Sequence, residues 1–149
     1  MIFFFLLHLL SLSAADSRCT QPIQPRLNTC EGVEILYRYG YNPKTEKCED
    51  FPASTCNSPE GNEFLTREEC LEACKKDSPC LNNAFNYNGR PKKWFAYDAE
   101  EDICEETVLS VSDAYVSVGK NLFRTIEECR EECTPSYEMT QYDWSAYHK

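Results

Sequence analysis

Histidine, glycine and long apolar runs are scarce in this sequence. Of 149 residues only two are histidine, His8 and His148, and the second stands beside the C-terminal Lys149. A Ser-His-Asp arrangement therefore has no histidine in the body of the chain to serve as its base. The five glycines nowhere form the clustered loop that cradles a phosphate. Basic charge is also in deficit, with 15 Lys+Arg against 25 Asp+Glu and a net charge of −10. That balance argues against nucleic acid or anionic lipid as a partner, because both are bound through a basic footprint. Carboxylates are plentiful, but they stand in runs such as Glu68-Glu69 and Glu127-Glu128, the pattern of solvated helix faces rather than of a paired acid and base. No enzymatic activity is expected.

Beyond Leu12 no stretch approaches the ~18 apolar residues that mark a membrane span. Ile2 to Leu12 is an apolar run interrupted at His8, and it leads into Ser13-Ala14-Ala15, a small-residue cleavage pattern. Residues 1–15 read as a secretory signal peptide. The mature chain is then expected to start near Asp16 and to be extracellular, monomeric and without membrane insertion.

Cysteine is the residue in excess. All ten lie after residue 15, and in an oxidising compartment they are expected to form disulfides rather than a zinc site. Each bridge contributes about 2–4 kcal/mol, which offsets the small cores of short modules. No metal or cofactor is expected.

The chain repeats itself. Asn62, Phe64, Thr66, Glu68, Glu69, Cys70 and Cys74 recur at an offset of 59 as Asn121, Phe123, Thr125, Glu127, Glu128, Cys129 and Cys133. Tyr39-Gly40-Tyr41-Asn42 before Cys48 corresponds, at an offset of 56, to Phe95-Ala96-Tyr97-Asp98 before Cys104. Two modules follow, 19–74 and 80–133, joined by a polar linker at 75–79 and followed by an aromatic tail at 134–149 that is expected to be flexible. Each module carries a net charge of −5, from 5 Lys+Arg and 10 Asp+Glu in the first and 6 and 11 in the second. Thr66 with Glu69, and Thr125 with Glu128, match the capping box that starts a helix. Alternating Tyr39/Tyr41 and Phe95/Tyr97 predict strands, each turned back by the polar residues that follow, Asn42 to Thr45 and Asp98 to Glu101. The fold class is a small disulfide-rich α+β protein, with two tandem copies of a twisted hairpin plus a C-terminal helix.

In the first module the residues between successive cysteines number 10, 17, 7, 13 and 3. With Arg38-Tyr39-Gly40-Tyr41-Asn42, Phe51 and Asn62-Glu63-Phe64, this pattern resembles the Kunitz (pancreatic trypsin inhibitor type) family. The resemblance implies the pairs Cys19–Cys74, Cys30–Cys56 and Cys48–Cys70, where six cysteines alone leave many connectivities open. By analogy the second module is a degenerate copy with Cys80–Cys133 and Cys104–Cys129. It lacks the bridge that pins the inhibitory loop.

Members of this family act as preorganised substrates, and the residue after the second cysteine fills the protease pocket. That correspondence makes Cys30, Glu31 and Gly32 the inhibitory loop. A trypsin-like pocket carries an aspartate at its base, so Glu31 would set like charges together in a desolvated site. Asn28, Ser54 and Thr55 stand where the family has glycines beside the loop. Glu31 is thus either a solvated residue on a drifted loop or part of a surface that engages a protease in another way.

The second-module loop is expected at Gly89, Arg90 and Pro91, with Lys92 and Lys93 following. Arg90 suits a trypsin-like pocket, but Pro91 removes a backbone N–H and restricts Arg90. The stretch from Val108 to Val118 alternates like extended chain around a turn at Ser112-Asp113. Its apolar residues either replace the missing staple or form an exposed docking edge. In the tail, Tyr142 beside Asp143 is a candidate for sulfation.

The six-plus-four division of cysteines is similar to that of two-domain tick salivary anticoagulants that mimic tissue factor pathway inhibitor. This implies a secreted serine protease inhibitor with factor X or Xa as scaffold, bound through a basic exosite, and factor VIIa–tissue factor as the inhibited enzyme. The alternatives are a standard-mechanism Kunitz inhibitor of an unusual serine protease, and a Kunitz-derived ion-channel blocker or non-protease binding module.

Overall fold

Tyr39 and Tyr41 lie on β1 (Ile35–Asn42), which pairs antiparallel with β2 (Lys47–Ser54), Ile35 opposite Ser54 and Tyr41 opposite Cys48. This computed structural model describes residues 16–28, 30–32, 34–116 and 119–140. The expected signal peptide and residues 141–149, with the candidate sulfation site Tyr142, lie outside the described residues. The connecting turn closes because the Asn42 carboxamide oxygen accepts from Lys44 N at 3.0 Å while Glu46 N reaches Asn42 O at 2.8 Å. Local bonds of this kind are why asparagine favours turns. The helix α1 (Arg67–Cys74) starts where Thr66 accepts from Glu69 N at 3.1 Å.

The second copy repeats the plan with β3 (Tyr87–Asp98), β4 (Ile103–Val111) and α2 (Ile126–Cys133). Asp98 closes its turn by accepting from Glu100 N and Glu101 N. The capping boxes differ. In α2 Glu128 accepts from both Arg124 N and Thr125 N, whereas in α1 Glu69 accepts from Leu65 N, the repeat position of Arg124. The hairpins extend toward the segments before each helix through the bridges Tyr39–Phe64 and Phe95–Phe123. Gly40 is required by this packing, since a Cβ there would stand 2.7 Å from Ile23 Cγ1 and 2.8 Å from Asn62 O.

Five disulfides link Cys19–Cys74, Cys30–Cys56, Cys48–Cys70, Cys80–Cys133 and Cys104–Cys129. At the repeat positions of Cys30 and Cys56 the second copy has Asn86 and Ser112. A cluster of Trp94, Val111, Val116 and Leu122, packed by Phe85 and Leu109, fills that end of the hairpin. In the first copy the positions of Trp94 and Leu122 are Arg38 and Glu63, which form an ion pair. The second copy thus exchanges a disulfide and a partly buried ion pair for apolar packing.

One core crosses the repeat boundary. Cys48, Phe64, Cys70 and Leu71 from the first copy cluster with Cys80, Tyr97, Cys104 and Cys129 from the second. Residues 75–79, read from composition as a linker, are built into the joint. Lys75 N caps α1 on Leu71 O, Ser78 is buried, and Pro79 opens a short 3₁₀ turn. The tail differs as well, because its first part runs alongside β2. Asp50 N donates to Pro135 O at 3.2 Å, Tyr137 N donates to Asp50 O at 2.9 Å, and Tyr137 packs on the cluster of Ile23, Phe51 and Ala53. Residues 135–137 are held by sheet pairing and apolar contact, neither of which composition records.

Candidate functional site

Cys30, Glu31 and Gly32 form an exposed loop ahead of β1. Its base is held on several sides. Cys30 is bonded to Cys56, Ser54 N donates to Arg26 O at 2.7 Å, and Thr55 N donates to Glu34 O at 3.0 Å. Glu34 N in turn donates to Thr55 Oγ1 at 3.1 Å. Behind the loop the buried Glu63 carboxylate pairs with Arg26 and, at 3.7 Å, with Arg38 Nε. The Ser54 and Thr55 positions, where the resembled family has glycine, therefore supply hydrogen bonds to the loop base.

The loop tip is not strand-like. Gly32 has φ +74°, in the left-handed region, and a turn occupies Glu31-Gly32. A segment that pairs along a cleft needs extended backbone, and a left-handed residue directly after Glu31 bends the chain away from that course. Downstream, Ile35, Leu36 and Tyr37 are exposed, Tyr37 by 66%. Two exposed carboxylates, Glu31 and Glu34, thus precede three exposed apolar residues on β1.

Gly89, Arg90 and Pro91, expected as a loop, lie within β3. The register jumps between Tyr87–Val111 and Lys92–Leu109, so residues 88–91 bulge opposite Ser110. Without a bridge between the positions of Asn86 and Ser112, pairing continues to the end of the hairpin and the extra residues are absorbed as a bulge. Arg90 is exposed there. Lys92 is paired with Asp113 at 2.8 Å and Lys93 with Glu106 at 2.8 Å. The hydrogen bond from Lys92 holds the Asp113 carboxyl below its usual range. In the stretch from Val108, the turn at Ser112-Asp113 is a 3₁₀ turn over Asp113–Tyr115. Val111 and Val116 are buried, Leu109 packs against their cluster and Val108 is exposed. Val118 lies outside the described residues.

A cluster around Arg67 was not anticipated. Arg67 is 3% exposed. Its Nε donates to Asp102 Oδ1 at 2.8 Å, Nη2 to Asp50 Oδ1 at 3.1 Å, and Nη1 to Pro135 O at 3.0 Å and to Cys48 O at 2.5 Å. It also lies 4.9 Å from the Tyr39 ring centroid. Burial works against its charge, and hydrogen bonds and attraction from Asp102 and Asp50 more than restore it, leaving its pKa above the usual value. Tyr97 Oη donates to Asp102 Oδ1 at 2.8 Å. Burial, then the negative charge of Asp102, raises the Tyr39 hydroxyl to about 12 and shifts Tyr97 further in the same direction. One sequence signal pointed here, because Arg67 stands at the repeat position of Ile126, an inward-packing residue.

Among the described residues no group of three or more His, Cys, Asp or Glu side chains could hold a metal ion, and no helix is long and apolar enough to cross a membrane.

The Kunitz/Bovine pancreatic trypsin inhibitor domain family matches residues 18–75. Haemaphysalin of Haemaphysalis longicornis is 32% identical over 129 residues, covering 83% of this chain and 76% of the relative. Ixolaris of Ixodes scapularis is 31% identical over 115 residues, covering 74% of this chain and 66% of the relative. An NMR structure of ixolaris, concerned with its interaction with factor X and a noncanonical mechanism of Kunitz inhibition, matches 78% of this chain and 93% of its own at 27% identity and a TM-score of 0.29.

Proposed function

The chain belongs to the Kunitz/bovine pancreatic trypsin inhibitor family and is related to haemaphysalin and ixolaris, and from this premise we propose that it is a secreted two-domain inhibitor of clotting proteases that works outside the cleft. Members of the family are inhibitors rather than enzymes. In this reading residues 19–74 and 80–133 are both Kunitz-type domains, the second with its inhibitory-loop bridge replaced by the Trp94 cluster. Factor X or Xa is the scaffold, and factor VIIa–tissue factor is the blocked enzyme.

The observation that carries the reading is the Glu31-Gly32 turn. An acidic residue at the pocket position meets like charge in a trypsin-type pocket, and the left-handed Gly32 departs from the extended course of a cleft-bound segment. What remains for recognition is an acidic surface on a chain of net charge −10, complementary to a basic exosite. Sequence relation to ixolaris supports factor X as the partner.

The test uses the chain from Asp16 onward, with its disulfides formed. Direct binding to factor X and Xa at physiological salt, normal cleavage of a small substrate by factor Xa, and slowed factor X activation by factor VIIa–tissue factor are the expected results. Absence of binding to both factor X and Xa would overturn the proposal.

A further inference from the structure

The outer edges of the two hairpins are occupied differently. In an antiparallel pair, residues whose N–H and C=O groups do not face the partner strand turn them outward. Tyr39 directs its groups to Phe64, so Asp50 opposite turns its own away from β1, and Cys48, Pro52 and Ser54 follow at intervals of two. Each of these positions on β2 is covered or needs no donor partner. Arg67 donates to Cys48 O, Asp50 is bonded by Pro135 and Tyr137, and Ser54 N donates to Arg26 O. Pro52 has no N–H.

On β3 the groups of Phe95 go to Phe123 and those of Tyr97 go to Asn121. Glu106 and Cys104 opposite therefore turn theirs away from β3, and Val108 follows two residues on. These are the repeat positions of Asp50, Cys48 and Pro52. Among the described residues nothing bonds the outward backbone groups of Glu106 or Val108. The guanidinium that serves the first copy is replaced at the repeat position by Ile126. Around this edge Val108 is 59% exposed and Ile103 47% exposed, and Glu105 and Glu106 are exposed between them.

We propose that the outer edge of β4 is a strand-docking site for an extended, basic segment of a protein partner. Within the same molecule the equivalent edge of β2 takes up extended chain in parallel at Asp50–Ser136, which shows what this hairpin edge accepts. Backbone bonds supply attachment and the side chains along the edge supply selectivity. Here the selectivity favours apolar residues against Val108 and Ile103 and a cation against Glu105, beside Glu106, which Lys93 already pairs. The inference rests on the function proposed above for the class of partner, since a basic exosite is the source of such a segment, while the open edge is a property of this chain alone.

The test is amide hydrogen exchange on the disulfide-bonded chain from Asp16, with and without an acetylated hexapeptide of alternating lysine and valine, repeated on Val108→Pro. Pro52 already occupies the equivalent position in β2, and unchanged protection of the Asp50 amide certifies the variant's fold. In the free chain Glu106 and Val108 amides exchange about tenfold or more faster than Asp50. Peptide slows them by a similar factor, and Val108→Pro loses the binding. Peptide that leaves these amides unchanged in the unmodified chain, or that binds Val108→Pro equally, overturns the inference. Factor X provides the second arm. Binding of factor X without protection of Glu106 and Val108 overturns the strand-docking site and leaves the proposed function standing. Peptide docking without factor X binding does the reverse.

Discussion

Arg67 on α1 and Asp102 in the β3–β4 turn meet across the repeat boundary, Nε to Oδ1 at 2.8 Å, with the guanidinium almost wholly buried. Asp50 and the Pro135 carbonyl complete the cluster, so three separate stretches of chain converge on one cation. The repeats are therefore coupled through a shared charge as well as through a shared core. Relative orientation of the two copies is set by contacts that neither could make alone.

Replacing Arg67 by leucine leaves two carboxylates facing a site from which the cation has gone. Loss of one partner from a buried pair costs about 3–5 kcal/mol. Chemical denaturation with disulfides intact is expected to register a loss of that order. Arg67→Lys is expected to recover only part of it, because an ammonium cannot present the planar fork that reaches Asp102, Asp50 and two carbonyls at once. Full recovery by lysine would show that charge alone matters there.

The same cluster sets an alkaline limit on stability. Tyr39 titrates at about 12 in the fold against 10.0 for an ordinary tyrosine, because burial and Asp102 disfavour its anion. Its folded pKa is the higher one, so the folded state binds the proton more tightly. The resulting stabilisation is complete below the unfolded value near 10 and is lost as pH rises toward 12. Tyr97 is shifted the same way and adds to the effect. Denaturant midpoints are expected to fall steadily above pH 10, and Tyr39→Phe should flatten that slope in proportion to its share.

Glu31→Arg distinguishes pocket charge from loop shape. If charge alone prevented trypsin inhibition, the substitution would create a tight inhibitor. With Gly32 held in a left-handed turn, trypsin affinity is expected to remain weaker than about 1 μM. Nanomolar inhibition would mean that the loop adopts an extended course on binding and would favour a standard mechanism.

The hairpins and helices were legible because their signals are local. Tyr39/Tyr41 and Phe95/Tyr97 show the period of a strand, and Thr66 and Thr125 mark helix starts through bonds to residues three positions on. Contacts between distant segments leave no such periodic trace. Nothing in Pro135-Ser136-Tyr137 announces a bond to Asp50, and Ser78 in a polar stretch does not look buried. The bulge at residues 88–91 also has no local signal, since counting from cysteines assumes a bridge that the second copy lacks. Repeat comparison does recover part of the rest, because mismatched pairs such as Arg67/Ile126 and Glu63/Leu122 fall where the two copies solve a packing problem differently.

Truncation after Thr134 removes the strand that covers β2. Asp50 then loses its partners on N–H and C=O, Arg67 loses the Pro135 carbonyl, and Ile23, Phe51 and Ala53 lose the Tyr137 ring. Leaving buried polar groups without partners costs about 1–3 kcal/mol each, less where water can enter. Asp50 is partly exposed, so water is expected to recover some of its bonds. The net expectation is a modest fall in stability together with faster amide exchange at Asp50, and both should appear without the loss of any disulfide. A truncated chain that keeps Asp50 protected would place the tail's contribution elsewhere. In either case Arg67 keeps Asp102, Asp50 and the Cys48 carbonyl as its hydrogen-bond partners.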